Sequence, residues 1–136
     1  MMEKRMFITI SDYERIREVT DDSWKGKNPE VIDRLMENLK SAKVLPPGNI
    51  SGNIVTMNSC VMLKNVSTGQ QADITVTYPH DADNMQRKVS VFSPIGSALL
   101  GCQVGDIVSW KVPHGLGKFQ IVKIKYQPEA AGDYHL

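Results

Sequence analysis

Two adjacent carboxylates, Asp21 and Asp22, are the residues of this chain whose chemistry best suits a metal ion. Carboxylate oxygens are hard ligands of the kind that Mg²⁺ prefers. The pair follows a predicted helix and opens a polar connector that also contains Trp24. Acids in such a place are most often solvated, so the pattern favours a surface connector over a metal site. The large aromatic residue either contacts a partner or folds back over the helix ends.

Other residue types with reactive or metal-binding side chains do not form a site by their spacing. The histidines are scattered over separate loops and the C-terminus, without metal-ligand or nucleophile spacing. The glycine-rich stretch 115–118 joins two predicted strands, so it is typical of a hairpin turn and lacks the helix that a phosphate-binding loop needs. The cysteines stand apart in apolar surroundings, which predicts reduced packing residues. We therefore predict no catalytic residue, metal site or cofactor. The residues concerned are His80, His114, His135, Cys60 and Cys102.

The composition limits the classes of partner. The chain has 136 residues, enough for one domain with a real core and a modest appendage, and a formal net charge of only +1. This balance does not favour direct, sequence-specific binding of nucleic acid. No apolar run is long enough to cross a bilayer, and the start lacks the sustained apolar region of a secretory signal. We expect a cytoplasmic protein without a membrane partner, and a monomer is favoured.

The first third of the chain is predicted to be helical. Ser11 and Glu14 form a capping-box pattern, so a first helix is predicted to begin at Asp12. An asparagine, a proline and a glutamate then predict a second helix, which ends near Lys43. Two consecutive helices with a short connector predict a short antiparallel hairpin, or coiled coil. Its narrow apolar stripes favour a hairpin that projects from the body; helices laid on the domain are the alternative.

Two prolines and a glycine mark the boundary between this hairpin and the rest of the chain. We divide the chain into an N-terminal helical hairpin at 1–45, a linker at 46–52 and a C-terminal domain at 53–136. Runs rich in β-branched and aromatic residues predict strands at 54–57, 60–66, 72–78, 89–92, 107–112 and 119–126. The predicted fold class is α+β, with a mostly antiparallel sheet covered on one face by one short helix.

That short helix follows the fourth predicted strand. Ser93 is a good N-cap residue. Pro94 suits the first helical position, because the N–H that proline lacks would have no partner in the helix there. Ile95 and Leu99 fall on one face, and Gly101 can take the left-handed conformation that ends a helix. The pattern predicts one to two helical turns between strands.

The same stretch resembles a known family. The motif S-P-I-G-S-A-L-L-G at 93–101, followed by V-G-D at 104–106, resembles the C-terminal domain of the GreA/GreB transcription elongation factors. V-T-M-N-S at 55–59, Y-P at 78–79 and Y-Q-P-E-A-A-G-D-Y at 126–134 are similar to the branch of that family called regulators of nucleoside diphosphate kinase. The resemblance implies an FKBP-like fold for the sheet domain.

The resemblance also implies a function and a binding surface. It implies a non-enzymatic transcription regulator that docks at the secondary-channel entrance of RNA polymerase and modulates elongation or competes with Gre factors. In the family, the loop and helix at the S-P motif help to dock this domain. Carried over, that role falls on Ser93, Pro94 and Ile95, with Leu99 or Leu100 supplying apolar surface. One of the two leucines must face the core, and the sequence does not decide which.

Two alternative functions belong to other classes. Family members with long coiled coils use tip carboxylates to hold Mg²⁺ at the polymerase active site and stimulate transcript cleavage, a role that would fall on Asp21 and Asp22. A ten-residue helix rises only about 15 Å, so we expect these acids and Trp24 to reach no further than the channel mouth. The second alternative, peptidyl-prolyl isomerase activity, rests on fold analogy alone, and the dispersed aromatic residues argue against it.

Overall fold

The computed structural model describes residues 6–20, 29–112 and 115–133. Short 3₁₀ helices occur at Pro47–Asn49, Pro79–Asp81 and Asn84–Gln86. The helices and strands given next confirm the predicted mixed α+β class. The helices and strands are β1 Phe7–Thr9, α1 Ile10–Thr20, α2 Pro29–Lys40, β2 Lys43–Leu45, β3 Cys60–Asn65, β4 Gln71–Thr77, β5 Lys88–Ser90, α3 Pro94–Leu99, β6 Ile107–Val112, β7 Gly115–Tyr126 and α4 Pro128–Ala131.

A five-stranded sheet forms the body, with the strand order β5-β4-β3-β7-β6. The β3–β4, β3–β7 and β6–β7 pairs are antiparallel, and β4–β5 is parallel. On the central strand β3, Val61 and Leu63 are buried, whereas Met62 and Lys64 point to the opposite side. We call the side of Val61 the inner face and the side of Lys64 the outer face. Helix α3 packs against β4, β5 and β6.

The run predicted as a strand at 54–57 is not one. Ile54 makes only an isolated bridge to Gln103. The backbone of Val55 instead donates to the Cys102 carbonyl at 2.8 Å and accepts from the Gly101 N–H at 2.9 Å. These loop partners satisfy the backbone groups that a strand ladder would otherwise satisfy. The glycine-rich stretch at 115–118, predicted as a turn, belongs to β7.

A small parallel pair of strands closes the base of the helical segment. Phe7 pairs with Lys43 and Thr9 with Leu45, so β1 and β2 lie side by side although both helices separate them in the chain. The Lys43 N–H donates to the Met6 carbonyl at 2.8 Å. This pairing ends the second helix at Lys40, before the predicted limit near Lys43.

The first helix is capped by a residue other than the predicted one. Helix α1 begins at Ile10, and the Thr9 hydroxyl accepts a hydrogen bond from the Asp12 N–H at 3.1 Å. Thr9 is therefore the N-cap, and the predicted capping box of Ser11 and Glu14 is wrong. The cap shifts the helix by two residues toward the N-terminus. It also places Asp12 in the first turn, where its carboxylate faces the domain.

Both helices lie on the domain. Ile16 of α1 and Ile32, Leu35 and Leu39 of α2 are buried in the same hydrophobic cluster as residues of the sheet. The predicted projecting hairpin is therefore wrong, and the alternative of a helical pair laid on the domain is confirmed. The boundaries 1–45, 46–52 and 53–136 stay a prediction. Asp21, Asp22 and Trp24, predicted at the hairpin tip, lie outside the described residues.

Candidate functional site

The N-terminus of α3 is built as predicted. The Ser93 hydroxyl accepts from the Gly96 N–H at 3.1 Å and donates to the Ser90 carbonyl at 2.6 Å. Pro94 occupies the first helical turn and is exposed. The Ser93 hydroxyl thus both donates and accepts within the loop. Ser93 therefore holds the loop in shape, and Pro94 is the residue exposed at its surface.

The apolar residues after Pro94 divide differently from expectation. Ile95 is partly buried against the core, Leu99 is 0% exposed and Leu100 is 2% exposed. One of the two leucines was expected to supply docking surface, but both face the core. The reason is the turn that follows α3, where Gly101 has φ +80° and folds the chain inward beside Met6.

A groove runs between α2, α3 and β6, with a volume of about 520 Å³. Val31 and Arg34 line it from α2, Pro94 and Ala98 from α3, and Trp110 from β6. The Trp110 ring stacks on Phe119 with 4.2 Å between ring centroids, which stiffens that wall.

Two exposed apolar side chains extend the lining of the groove toward solvent. Ile107 is 54% exposed and Leu116 is 63% exposed, and both line the groove. Sequence reasoning missed this lining because Leu116 was assigned to a turn and α2 to a projecting hairpin. The exposed Pro94, Ile107 and Leu116 together form an apolar surface of the kind that contacts a protein partner.

A buried polar cluster joins α1 to the domain. The Asp12 carboxylate is 1% exposed and accepts from the Met57 N–H at 3.1 Å and from the Tyr78 hydroxyl at 3.4 Å. Nearby, the Thr56 hydroxyl donates to Glu129 Oε1 at 2.6 Å. The motifs at 55–59, 78–79 and 126–134 therefore converge on one helix residue that sequence reasoning did not select. The signal for Asp12 was its position three residues after a capping threonine.

The environment of Asp12 favours its neutral form. Burial raises the pKa of Asp12 to about 6, and the negative charge of Glu129 adds to the rise, whereas the hydrogen bond from Met57 opposes it. Burial and the neighbouring Asp12 charge likewise raise the pKa of Tyr78 well above its usual value. Asp12 is thus a carboxyl group whose protonation changes close to neutral pH.

Gln127 holds the C-terminal segment to the loop before β3. Its side-chain amide donates to the carbonyls of Ser51 and Ile54, both at 2.7 Å, and its oxygen accepts from the Ala130 N–H at 3.1 Å. The residue is almost fully buried. Both polar atoms of the side chain, Nε2 and Oε1, are therefore hydrogen-bonded to backbone groups.

Replacing Gln127 with methionine is expected to lower the free energy of unfolding by about 2 kcal/mol, because it leaves the buried Ile54 carbonyl without its partner and removes one of the two donors to the Ser51 carbonyl. Urea denaturation at pH 7 measures this difference. Gln71→Met, at an exposed position of β4, is the matched control and should change the stability by less than about 0.5 kcal/mol. Equal effects of the two substitutions would contradict the role of the Gln127 bonds.

The described residues do not assemble a metal centre. Within 6–20, 29–112 and 115–133, no group of three or more histidine, cysteine, aspartate or glutamate side chains is placed to hold an ion. His80 lies at the surface with its Nε2 3.3 Å from Asp81 Oδ2, as expected for a surface histidine. No helix of the described chain is both long and apolar enough to span a bilayer.

Comparison with known proteins identifies the family. Residues 50–126 match the family model for the C-terminal region of the transcription elongation factors GreA and GreB. The chain is 38% identical over 107 residues to the regulator of nucleoside diphosphate kinase from Escherichia coli (strain K12), covering 78% of this chain and 79% of that protein. It is 32% identical over 135 residues to the transcription elongation factor GreA from Thermosipho africanus (strain TCF52B), covering 92% and 85% of the two chains.

A solved structure extends the comparison to the fold. The prokaryotic transcription elongation factor GreA/GreB from Nitrosomonas europaea superposes with a TM-score of 0.78 at 32% identity. The match covers 90% of this chain and 100% of that one. The chain belongs to the GreA/GreB family of transcription elongation factors.

Proposed function

We propose that this protein is a non-enzymatic transcription regulator that binds RNA polymerase at the entrance of the secondary channel. The observation that carries the proposal is the exposed Pro94 at an apolar groove, within the region that matches the family model. The proposal places the protein in the cytoplasm with the polymerase, and it includes the FKBP-like architecture of the sheet domain.

In this proposal the predicted docking residues have distinct roles. Pro94 makes direct contact, while Ser93 and Ile95 hold the start of α3 in position. Leu99 and Leu100 act beneath the surface, where they anchor α3 to the core. Ile107 and Leu116 join the contact surface from the β6–β7 side.

The dimensions of the helices support regulation over transcript cleavage. Helix α1 has 11 residues and rises about 16 Å. This length suits contacts at the channel mouth, with Asp21, Asp22 and Trp24 near the polymerase surface. Any effect on nucleoside diphosphate kinase would then arise through transcription.

Transcript cleavage is the second candidate function, favoured by the similarity to GreA over 92% of the chain. It would use the adjacent acids Asp21 and Asp22 as ligands of a Mg²⁺ ion at the polymerase active site. Stalled elongation complexes distinguish the two candidates. Release of short 3′ RNA fragments that disappears in Asp21→Asn/Asp22→Asn would replace our proposal with this one.

Substituting Pro94 with aspartate is expected to weaken binding to core RNA polymerase at least tenfold. The change places a charge in the apolar contact, while an acid in the first turn of a helix is tolerated. Titration of fluorescently labelled protein with core polymerase measures the affinity. The matched control is Val66→Asp, which puts the same charge on an exposed apolar residue in the β3–β4 turn.

The two variants decide the docking surface together. Loss of affinity in Pro94→Asp with wild-type affinity in Val66→Asp supports docking through the groove. Wild-type affinity in both variants, or no binding of the wild-type protein at micromolar concentration, would contradict the proposal.

A further inference from the structure

We infer that the outer face of the five-stranded sheet is a second interaction surface, which binds the phosphate backbone of nucleic acid independently of base sequence. This inference goes beyond the proposed function, because the lysines that carry it, Lys64, Lys118 and Lys123, do not line the groove. The inference rests on how charge is distributed among the strands.

The strands of this sheet are strongly basic although the whole chain is nearly neutral. Within β3 to β7, lysine residues outnumber acidic residues six to one. The lysines are Lys64, Lys88, Lys111, Lys118, Lys123 and Lys125, and the acid is Asp73.

Strand register brings Lys64, Lys118 and Lys123 to one face of the sheet. Residues directly opposite each other in an antiparallel pair share a face. Met62 on the outer face of β3 lies opposite both Asp73 and Lys123, and the outward Lys64 lies opposite Gln120. Lys118 is two residues from Gln120 along β7, so it points the same way.

Most of this charge is available to a partner. Lys64, Lys118, Lys123 and Lys125 are all exposed. Asp73 accepts a hydrogen bond from Lys125 Nζ at 2.7 Å, so it offsets that one charge. Three exposed lysines of the outer face remain without a carboxylate opposite them in the described strands.

Acidic residues elsewhere in the chain offset this surface in the net charge. Helices α1 and α2 contain six acidic and four basic residues within their described bounds, an excess of two acids against the excess of five lysines in the strands. The rest of the sequence adds eight acidic and six basic residues, so the formal net charge of the chain is only +1. Total composition therefore does not reveal the basic sheet.

The residue types on this face favour nucleic acid over an acidic protein. Protein interfaces are enriched in arginine and depleted in lysine, and the basic residues of these strands are all lysine. Lysine acts as a point charge toward phosphate. The aromatic residue on this face, Tyr126, is half-buried and donates its hydroxyl hydrogen bond to Asp133, so register places one partly buried ring opposite the outward residues of β3, where base stacking relies on several exposed rings. We therefore expect these lysines to contact the phosphates of the nucleic acid without reading its base sequence.

Binding of a fluorescent 30-base-pair duplex, followed by anisotropy between 50 and 150 mM KCl, tests the inference. With about three phosphates neutralised, log Kd should rise with log[KCl] with a slope of about 2.7, which is roughly a twenty-fold loss of affinity over this range. The Lys64→Gln/Lys118→Gln/Lys123→Gln variant should bind the duplex at least tenfold more weakly at 50 mM KCl. Its affinity should also lose most of its dependence on salt. Arg17→Gln/Lys40→Gln/Lys43→Gln removes the same charge elsewhere and should bind like the wild type.

Two further measurements distinguish nucleic acid from an acidic protein as the partner, and distinguish this inference from the proposed function. Tighter binding of poly-L-glutamate than of the duplex would assign the face to an acidic protein and overturn the inference. Equal losses in the two triple variants, or no binding of the duplex at 50 mM KCl, would overturn it as well. Pro94→Asp should keep duplex affinity even if it loses polymerase, so failure of one proposal does not decide the other.

Discussion

Alanine at position 96 is expected to lower the free energy of unfolding by about 3 kcal/mol or more, a large effect for the addition of one methyl group. A Cβ atom on Gly96 would lie 2.1 Å from the Ser90 carbonyl oxygen, 2.8 Å from its carbon and 3.1 Å from the Val91 Cα. These are backbone atoms, so no side-chain rotation relieves the overlap. Helix α3 would have to move away from β5.

Urea denaturation of Gly96→Ala measures this cost against Gly48→Ala. A Cβ on Gly48 would meet nothing within 4 Å, so the control should stay within about 0.5 kcal/mol of the wild type. Since the displaced helix begins with Pro94, the variant should also weaken polymerase binding. A fully stable Gly96→Ala protein would show that α3 does not approach β5 as closely as described.

Replacing Asp12 with asparagine is expected to change how stability depends on pH. Burial raises the pKa of Asp12 from 3.8 to about 6 in the folded protein, so the folded state binds this proton more tightly than the unfolded state does. The stabilisation by the neutral carboxyl is fully present below pH 3.8 and is lost as pH rises through about 6. Asparagine remains neutral throughout and can still accept from the Met57 N–H.

The free energy of unfolding of Asp12→Asn, minus that of the wild type, should therefore increase by about 2.4 kcal/mol between pH 4 and pH 7. Urea denaturation at intervals of one pH unit measures it. Glu37→Gln, which removes an exposed carboxylate from α2, tests whether loss of any acid gives the same curve. A pH-independent difference for Asp12→Asn would show that Asp12 titrates alike in both states.

Local patterns predicted the sheet domain well. The strands at 60–66, 72–78 and 107–112 agree with the structure within a residue, because β-branched runs and turn residues determine them locally. Ser93 and Pro94 predicted α3 for the same reason, since capping depends on neighbours in the chain. The α+β class followed directly.

Long-range contacts decided the features that the sequence did not predict. The β1–β2 pair joins residues separated by both helices, and the 54–57 run is paired with the turn after α3. Helix α2 packs on the domain through an apolar stripe that would serve equally well in an isolated hairpin. Amphipathicity shows which face is buried and does not show what covers it.

The candidate site was predicted in part. Pro94 is exposed at the groove, as docking requires, but the burial of both leucines depends on the inward turn at Gly101. The sequence did not predict the burial of Asp12, because its partners, Met57 and Tyr78, lie 45 and 66 residues away in the chain. A buried carboxyl group is defined by such distant neighbours.

The parallel pairing of β1 with β2 has a consequence for how this fold can diversify. The chain leaves the body at Thr9 and returns at Lys43, on neighbouring strands that lie only about 4.8 Å apart. The helical segment is thus an insertion whose two ends meet at neighbouring strands. Turns added at Thr20 and Pro29, the ends of α1 and α2 that are remote from this pair in the chain, would lengthen the segment while β1 and β2 stay paired, so the length of the helices can evolve separately from the sheet.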